Sequence, residues 1–290
     1  MTLTASFLEK ANKSHLHTVA TPLPKEQPPA EDYEIDGRLG KFAAELIGSL
    51  LWVARCTRPD VSFAVAFLAR FAAPGRWSVV ADRYLERIIA YLACTRDYVL
   101  VQWLSPGDVL SVVTYTDADH AGCPFTARST SGTCSYLIGE SGSQALVSWS
   151  SHRQGCSAAS TGEAEIVAVA EACRKSTMPL AELLSQMLAR DVASKLLSDS
   201  AAAVSAADKG VTTMRYLRKN HRVSVGCVSG YVREVGIELI KTDGEDNVSD
   251  IFTKPLEGQR FAVLRTALGV IHREMVEASP PQLVSLAVMG

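Results

Sequence analysis

Apolar residues recur at helical spacing between about residues 40 and 97 and switch to strand-like runs from about residue 109. Phe42, Leu46, Ile47, Leu50, Leu51 and Val53 fit one helix, which should end before Arg58 and Pro59. Pro59, Asp60 and Val61 open a second, running through Phe67, Leu68 and Phe71 until Ala73, Pro74 and Gly75 break it. Tyr84, Ile88, Ile89, Tyr91 and Leu92 mark a third. The segment reads as a small all-helical unit with no catalytic cluster of its own.

The later pattern is different. Residues 109–116 are rich in β-branched side chains and end at Asp117, which predicts a strand. Residues 131–138 and 145–150 predict two more, joined by a hairpin-like connection at 139–142. Ser160 or Thr161 should cap a long helix through Val167, Val169 and Ala172, and Leu183, Leu184, Met187 and Leu188 extend that texture after Pro179. A fourth strand is expected at 195–199, an Ala-rich helix at 200–208, a fifth strand at 237–241 and a final helix from Val248 to Leu256. The order βββαβαβα suits an α/β fold, a mixed five-stranded sheet with helices on its faces, preceded by the helical segment.

Residues 1–38 are rich in Pro, Glu and Lys and lack periodicity, so a flexible leader is expected there. The remaining divisions are a helical segment at 39–108, the α/β domain at 109–258, and a C-terminal helix and tail at 259–290. Phe261, Leu264, Leu268, Val270 and Ile271 carry that helix, and the end from Ser279 onward is expected to fray.

Composition changes this picture little: 47 % of residues are hydrophobic and 21 % charged, ordinary for a globular chain with a sizeable core. No uninterrupted apolar stretch is long enough for a membrane span, and the first ten residues make a poor signal peptide. The 7 cysteines are odd in number and include no CxxC pair, which argues against a disulfide framework and a zinc site. A reducing location, cytoplasmic or nuclear rather than secreted, is expected. With a formal net charge of −2, contact with nucleic acid must come from local basic patches or from metal ions in an acidic site.

Four acids stand at the boundaries of predicted elements: Asp117 and Asp199 at strand ends, Glu165 in the first turns of the long helix, and Asp250 at the start of the last helix. If the strands of Asp117 and Asp199 are neighbours, their carboxylates converge at one sheet edge, and the two helical acids can close the cluster. Packed carboxylates repel one another unless cations neutralise them, and hard oxygen donors select Mg²⁺ or Mn²⁺. Two such ions can activate a water and stabilise the leaving oxygen of a phosphodiester. Taken singly each acid has an ordinary role, as a turn, cap or helix-dipole residue; only the ordered set has weight.

Five short stretches resemble, in order, the signatures of copia-type retrotransposon ribonuclease H: Tyr-Thr-Asp-Ala-Asp-His-Ala-Gly at 115–122, Arg-Ser-Thr-Ser-Gly at 128–132, Ser-Trp-Ser-Ser-His-Arg-Gln at 148–154, Ser-Thr-Gly-Glu-Ala-Glu at 160–165 and Asp-Ile-Phe-Thr-Lys-Pro-Leu at 250–256. Upstream, residues 47–54, 57–60 and 91–95 resemble the helical end of the reverse transcriptase that precedes it. The resemblance covers residues 39 to 258. It implies a ribonuclease H-like fold that cuts the RNA strand of an RNA–DNA hybrid, with contacts to 2′-hydroxyls selecting that strand. It also implies four metal-binding acids at Asp117, Glu165, Asp199 and Asp250, and two Mg²⁺ or Mn²⁺ ions. Glu165 is preferred over Glu163 because the apolar helix face follows it directly, and Asp119 is a secondary candidate.

The chain departs from the family at His120, where Trp is usual, and at Ile166, where Tyr is usual. Arg215, Arg218, Lys219 and Arg222, with His221 among them, match the family's basic segment only loosely; they are the candidates for phosphate contact, or else a solvated helix face. The polymerase's paired aspartates are expected upstream of residue 39, and no such pattern occurs there, so the chain is expected not to synthesise DNA by itself. Other parts of a retroelement polyprotein are its expected protein partners, and no membrane is.

Two other readings compete. A non-catalytic relic would keep the fold and some nucleic-acid binding, but drift should have removed at least one of the four acids. A phosphatase using Asp117 and Asp119 as nucleophile and acid would need a Lys and a further acidic pair in a parallel sheet, which the hairpin after Asp119 disfavours.

Overall fold

The computed structural model describes residues 2–212 and 217–278, which cluster into two units. One comprises residues 2–100 with Pro255–Ala278, the other residues 101–254.

In the first unit, α1 (Leu3–Ala11), α2 (Ala43–Cys56), α3 (Ser62–Leu68) and α4 (Val79–Cys94) precede a short strand β1 (Tyr98–Leu100). Its core includes Leu46, Leu50, Leu68, Phe71, Ile88 and Ile89, positions that helical periodicity selects, and also Leu85. The Thr-Arg-Pro-Asp stretch at 57–60 builds a buried polar knot. The Arg58 guanidinium donates to both Asp60 carboxylate oxygens at 2.9 and 2.7 Å and to Thr95, and Tyr91 Oη donates to Asp60 at 2.7 Å. Each buried charge is thereby paired and hydrogen-bonded, which its burial requires.

The expected flexible leader is corrected in part. Thr2 caps α1 by accepting from Ala5 N, and Phe7 is fully buried. Thr21 and Leu23 are also buried, and Thr21 accepts two hydrogen bonds from the Arg87 guanidinium. The Pro- and Glu-rich composition masked a few anchoring side chains at wide spacing, enough to fix an otherwise irregular path.

In the second unit, β2 (Leu110–Asp119), β3 (Thr130–Gly139) and β4 (Gln144–Arg153) form an antiparallel meander. Then come α5 (Thr161–Ala172), α6 (Met178–Leu188), β5 (Ser194–Ser198), α7 (Ala201–Lys209), α8 (Val225–Val235) and β6 (Ile237–Lys241). β5 adds parallel to β2, and β6 parallel to β5, so the sheet order is β4-β3-β2-β5-β6. This is the mixed five-stranded sheet with helices that the sequence pattern predicts. Ile166, Val169, Leu196, Ala203, Leu217, Val228, Val232 and Ile237 form the core shared by α5, α7, α8 and the sheet.

Three local expectations are corrected. The long helix after Ser160 contains a π turn, Cys173–Thr177, directly before α6; Pro179 lacks an N–H, and the extra residue absorbs the broken ladder. α8 is a further helix between α7 and β6, so the order gains one element. The final helix from Val248 is a short 3-10 turn, Val248–Phe252, ended before Pro255.

The domain boundary also shifts. Residues 255–258 group with the helical unit, as does the whole C-terminal segment: α9 (Gly258–Ala267), β7 (Val270–His272) and α10 (Arg273–Ala278). β7 pairs antiparallel with β1, joining Val99 to Ile271, and Phe261 packs edge-on against Tyr91 at 5.6 Å. The expected C-terminal helix is thus interrupted by a strand at Val270 and Ile271, whose β-branched side chains are buried there. The expected fraying after Ser279 lies outside the described residues.

Candidate metal centre

The parallel register of β2 and β5 sets the two strand-end acids side by side. Tyr115 is level with Leu197 in the register, so Asp117 and Asp199, each two residues farther on, point to the same side at the carboxyl ends of adjacent strands. Asp250 arrives on the turn 248–252, which lies over Gly132 of β3, the residue opposite Asp117. A Cβ at Gly132 would meet Thr253 Cγ2 at 2.6 Å, Phe252 Cβ at 2.8 Å and Ser249 O at 2.9 Å, so only glycine lets the turn come this close.

Asp117, Asp199 and Asp250 each offer a carboxylate oxygen, and these atoms lie within 4.8 Å of one another. Asp117, Asp250 and Glu165 are buried, and Asp199 is half-buried. Glu165 faces this group from the first turns of α5. Burial, then Asp117 and Asp199, push its carboxyl up to about 9. Asp250 is pushed up to about 6 by burial and by Asp117, against the pull of Lys254. Asp199 is raised for the same reasons, burial first. Crowded, buried carboxylates raise one another in this way.

Three neighbours support the group. Thr253 Oγ1 donates to Asp117 Oδ2 and to the Asp250 carbonyl oxygen. Asn247 Nδ2 donates to Thr116 O at 3.2 Å, while its Oδ1 accepts from Ser249 N, tying the turn to β2. Lys254 Nζ lies 2.6 Å from Asp250 Oδ1 and 3.6 Å from Asp117 Oδ2. Burial disfavours the Lys254 ammonium, but the surrounding carboxylates outweigh it and raise its pKa.

The donors fit a hard divalent cation: oxygen only, crowded, largely buried, and with Glu165 Oε2 left without a hydrogen-bond partner. Asp119 lies outside the group, its carboxylate against Gly122. Glu163 is turned away from the group: its Oε2 accepts from Ala159 N at 2.8 Å and its Oε1 lies 3.3 Å from His221 Nε2. His120, in the Trp position of the family, is exposed with Nε2 3.1 Å from Ala158 O, and Ile166 is buried in the core.

Of the basic candidates, Arg218, Lys219 and Arg222 are exposed on and beside the π turn Leu217–His221. Arg215 lies outside the described residues. Lys219, His221 and Arg222 line a cavity of about 730 Å³ together with Arg174 of the π turn after α5. The assistants Asn247, Thr253 and Lys254 were not singled out from sequence. The spacing of Lys254, four residues after Asp250, is the signal that could have found it.

A β-sheet edge holding three converging aspartates and a buried glutamate defines an α/β domain with a candidate hydrolytic metal centre. No protein-family model matches the chain. The "Retrovirus-related Pol polyprotein from transposon TNT 1-94" of Nicotiana tabacum is 29 % identical over 274 residues, 91 % of this chain and 19 % of that protein. The "Secreted RxLR effector protein 161" of Plasmopara viticola is 35 % identical over 133 residues, 45 % of this chain and 85 % of that protein. Among solved structures, LC11-RNase H1, isolated from compost by a metagenomic approach, superposes with a TM-score of 0.36 at 16 % identity, covering 49 % of this chain and 92 % of that one. The chain is similar to retrovirus-related Pol polyproteins of plant transposons, as a copia-type polyprotein fragment would be, and it spans about a fifth of the length of the tobacco relative.

Proposed function

We propose that this chain is a divalent-metal-dependent ribonuclease H that hydrolyses the RNA strand of RNA–DNA hybrids. The observation that carries the reading is the meeting of Asp117, Asp199 and Asp250 oxygens within 4.8 Å, with the Glu165 carboxyl buried against them. Mg²⁺ or Mn²⁺ ions bound by these four side chains would supply the Lewis acidity that activates a water and stabilises the departing 3′-oxygen. The protein's part is placement. β2 and β5 fix two aspartates by their register, Gly132 admits the turn bearing Asp250, and Thr253 orients Asp117 by a hydrogen bond. Lys254 holds positive charge at the group where negative phosphate must approach.

Arg218, Lys219 and Arg222 are proposed phosphate contacts for the hybrid; their exposure on one short segment supports this role. Residues 39–108 are read as the end of a reverse transcriptase, which would hold template and primer only beside the rest of the polyprotein.

The test is incubation of the purified chain with a hybrid labelled on its RNA strand. Cleavage with Mg²⁺ or Mn²⁺ that stops in EDTA and in Asp199→Asn is expected. Folded protein inactive with either ion would leave the non-catalytic relic.

A further inference from the structure

Glu163 and Glu165 are two residues apart on α5, so their side chains leave the helix in nearly opposite directions. Only Glu165 can reach the aspartates. Glu163 is nonetheless buried, at 4 % exposure, and a buried carboxylate needs partners. One oxygen closes the N-terminus of α5: Glu163 Oε2 accepts from Ala159 N, while Glu163 N donates to the N-cap Ser160 Oγ at 3.2 Å. Ordinary helix capping accounts for that oxygen alone. The other, Oε1, lies 3.3 Å from His221 Nε2, an ion-pair distance without hydrogen-bond geometry, with the two side chains 5 % and 2 % exposed.

His221 ends the π turn Leu217–His221, whose Leu217 is buried and whose Lys219 and following Arg222 are exposed. Val223 N donates back to Leu217 O at 3.2 Å, and Arg222 takes a left-handed φ of 57° to make that closure. One end of this small device presents cations; the other presses an imidazole on the first turn of α5. Glu165 Oε2 has no hydrogen bond of its own to fix it. The Ala118 backbone hydrogen-bonds the Glu165 carboxyl from β2, so the carboxyl's position depends on that contact and on how firmly the first turn of α5 is held.

We infer that His221 is a positioning residue for Glu165, acting through Glu163, and that this pair couples the basic segment 218–222 to the metal centre. The inference rests on the reading of Glu165 as a metal ligand. Groups one step removed from a metal ligand typically change metal affinity by about 10–100-fold when lost. His221→Ala is expected to weaken Mn²⁺ binding by about tenfold at that scale. His221→Gln, which keeps a polar side chain of similar reach beside Glu163, is expected to restore most of it.

The experiment is titration calorimetry of Mn²⁺ into the wild-type chain, His221→Ala, His221→Gln, Glu163→Gln and the double variant His221→Ala/Glu163→Gln. A pair acting as one unit makes the double variant no weaker than the worse single one. If His221→Ala fails to fold, His221→Asn, polar but too short to reach Glu163, takes its place beside His221→Gln. Wild-type affinity in His221→Ala or His221→Asn overturns the inference, as do additive losses in the double variant. Absence of Mn²⁺ binding by the wild-type chain, unaltered in Asp199→Asn, instead sinks the metal-centre reading beneath it.

Discussion

Asp117 and Asp199 stand level on adjacent parallel strands, two residues beyond the Tyr115–Leu197 pair, so that the sheet itself forces two carboxylates together. Such closeness opposes folding of the metal-free protein unless protons or cations intervene. Glu165, raised to about 9, and Asp250, raised to about 6, bind their protons more tightly folded than unfolded. For an acid whose folded pKa is raised, the stabilising contribution is full below its unfolded value and is lost as pH rises through the folded value.

The metal-free melting temperature should therefore fall as pH rises from about 4.5 toward 9, the span between the unfolded and folded values of Glu165. Thermal unfolding in EDTA across that range measures it. Glu165→Gln should flatten most of the slope, and Mg²⁺ should do the same in the wild-type chain. An equally steep slope in Glu165→Gln would place its cause elsewhere.

Lys254 is the protein's own counter-cation. Lys254→Gln leaves Asp250 and Asp117 without their ammonium, and the side chain is 39 % exposed, so solvent screening limits the loss. A cost of about 1 kcal/mol is expected in urea unfolding without metal. Divalent cation should restore stability in the variant more than in the wild type. A variant stable in EDTA to within error would mean that Lys254 carries no such role.

Gly132→Ala drives a methyl group into Thr253, Phe252 and Ser249 O, all within 3 Å. Overpacking of this kind costs about 1–3 kcal/mol, and here the element displaced is the turn bearing Asp250. Weaker Mn²⁺ binding should accompany the lost stability. Calorimetry on the variant separates a shifted turn from mere destabilisation.

Glu171 gives the opposite pH sign. His152 Nε2 lies 2.7 Å and Lys175 Nζ 2.6 Å from its two oxygens, and these partners overcome burial to bring its carboxyl down to about 2. Its contribution is full above its unfolded pKa near 4.5 and is lost as pH falls toward 2. Glu171→Gln should cost about 1–3 kcal/mol at pH 7 and nothing near pH 2.

The strands and the grouping of acids were legible because a β-branched run ended at Asp117 and a short apolar one at Asp199, and the order of motifs placed Glu165 and Asp250 beside them. Sequence could not show that Gly132 opens the space for Asp250, since that depends on a register between strands. Nor could it place His221, which reaches Glu163 only through a π turn that no side-chain periodicity marks. The return of Val270 and Ile271 to Tyr98–Leu100 was missed because it spans most of the chain. Phe7 was hidden by its polar neighbours for a simpler reason: one buried ring in a short helix makes no period.

The most direct test of the metal centre as a nuclease is a time course on a hybrid carrying distinct labels on its RNA and DNA strands. Wild-type chain, Asp117→Asn and Asp199→Asn would be compared over a Mn²⁺ titration. RNA-strand scission that rises with metal, leaves the DNA strand whole and vanishes in both variants is the expected result. Scission surviving both substitutions, or a folded wild-type chain that cuts neither strand at any metal concentration, would contradict it.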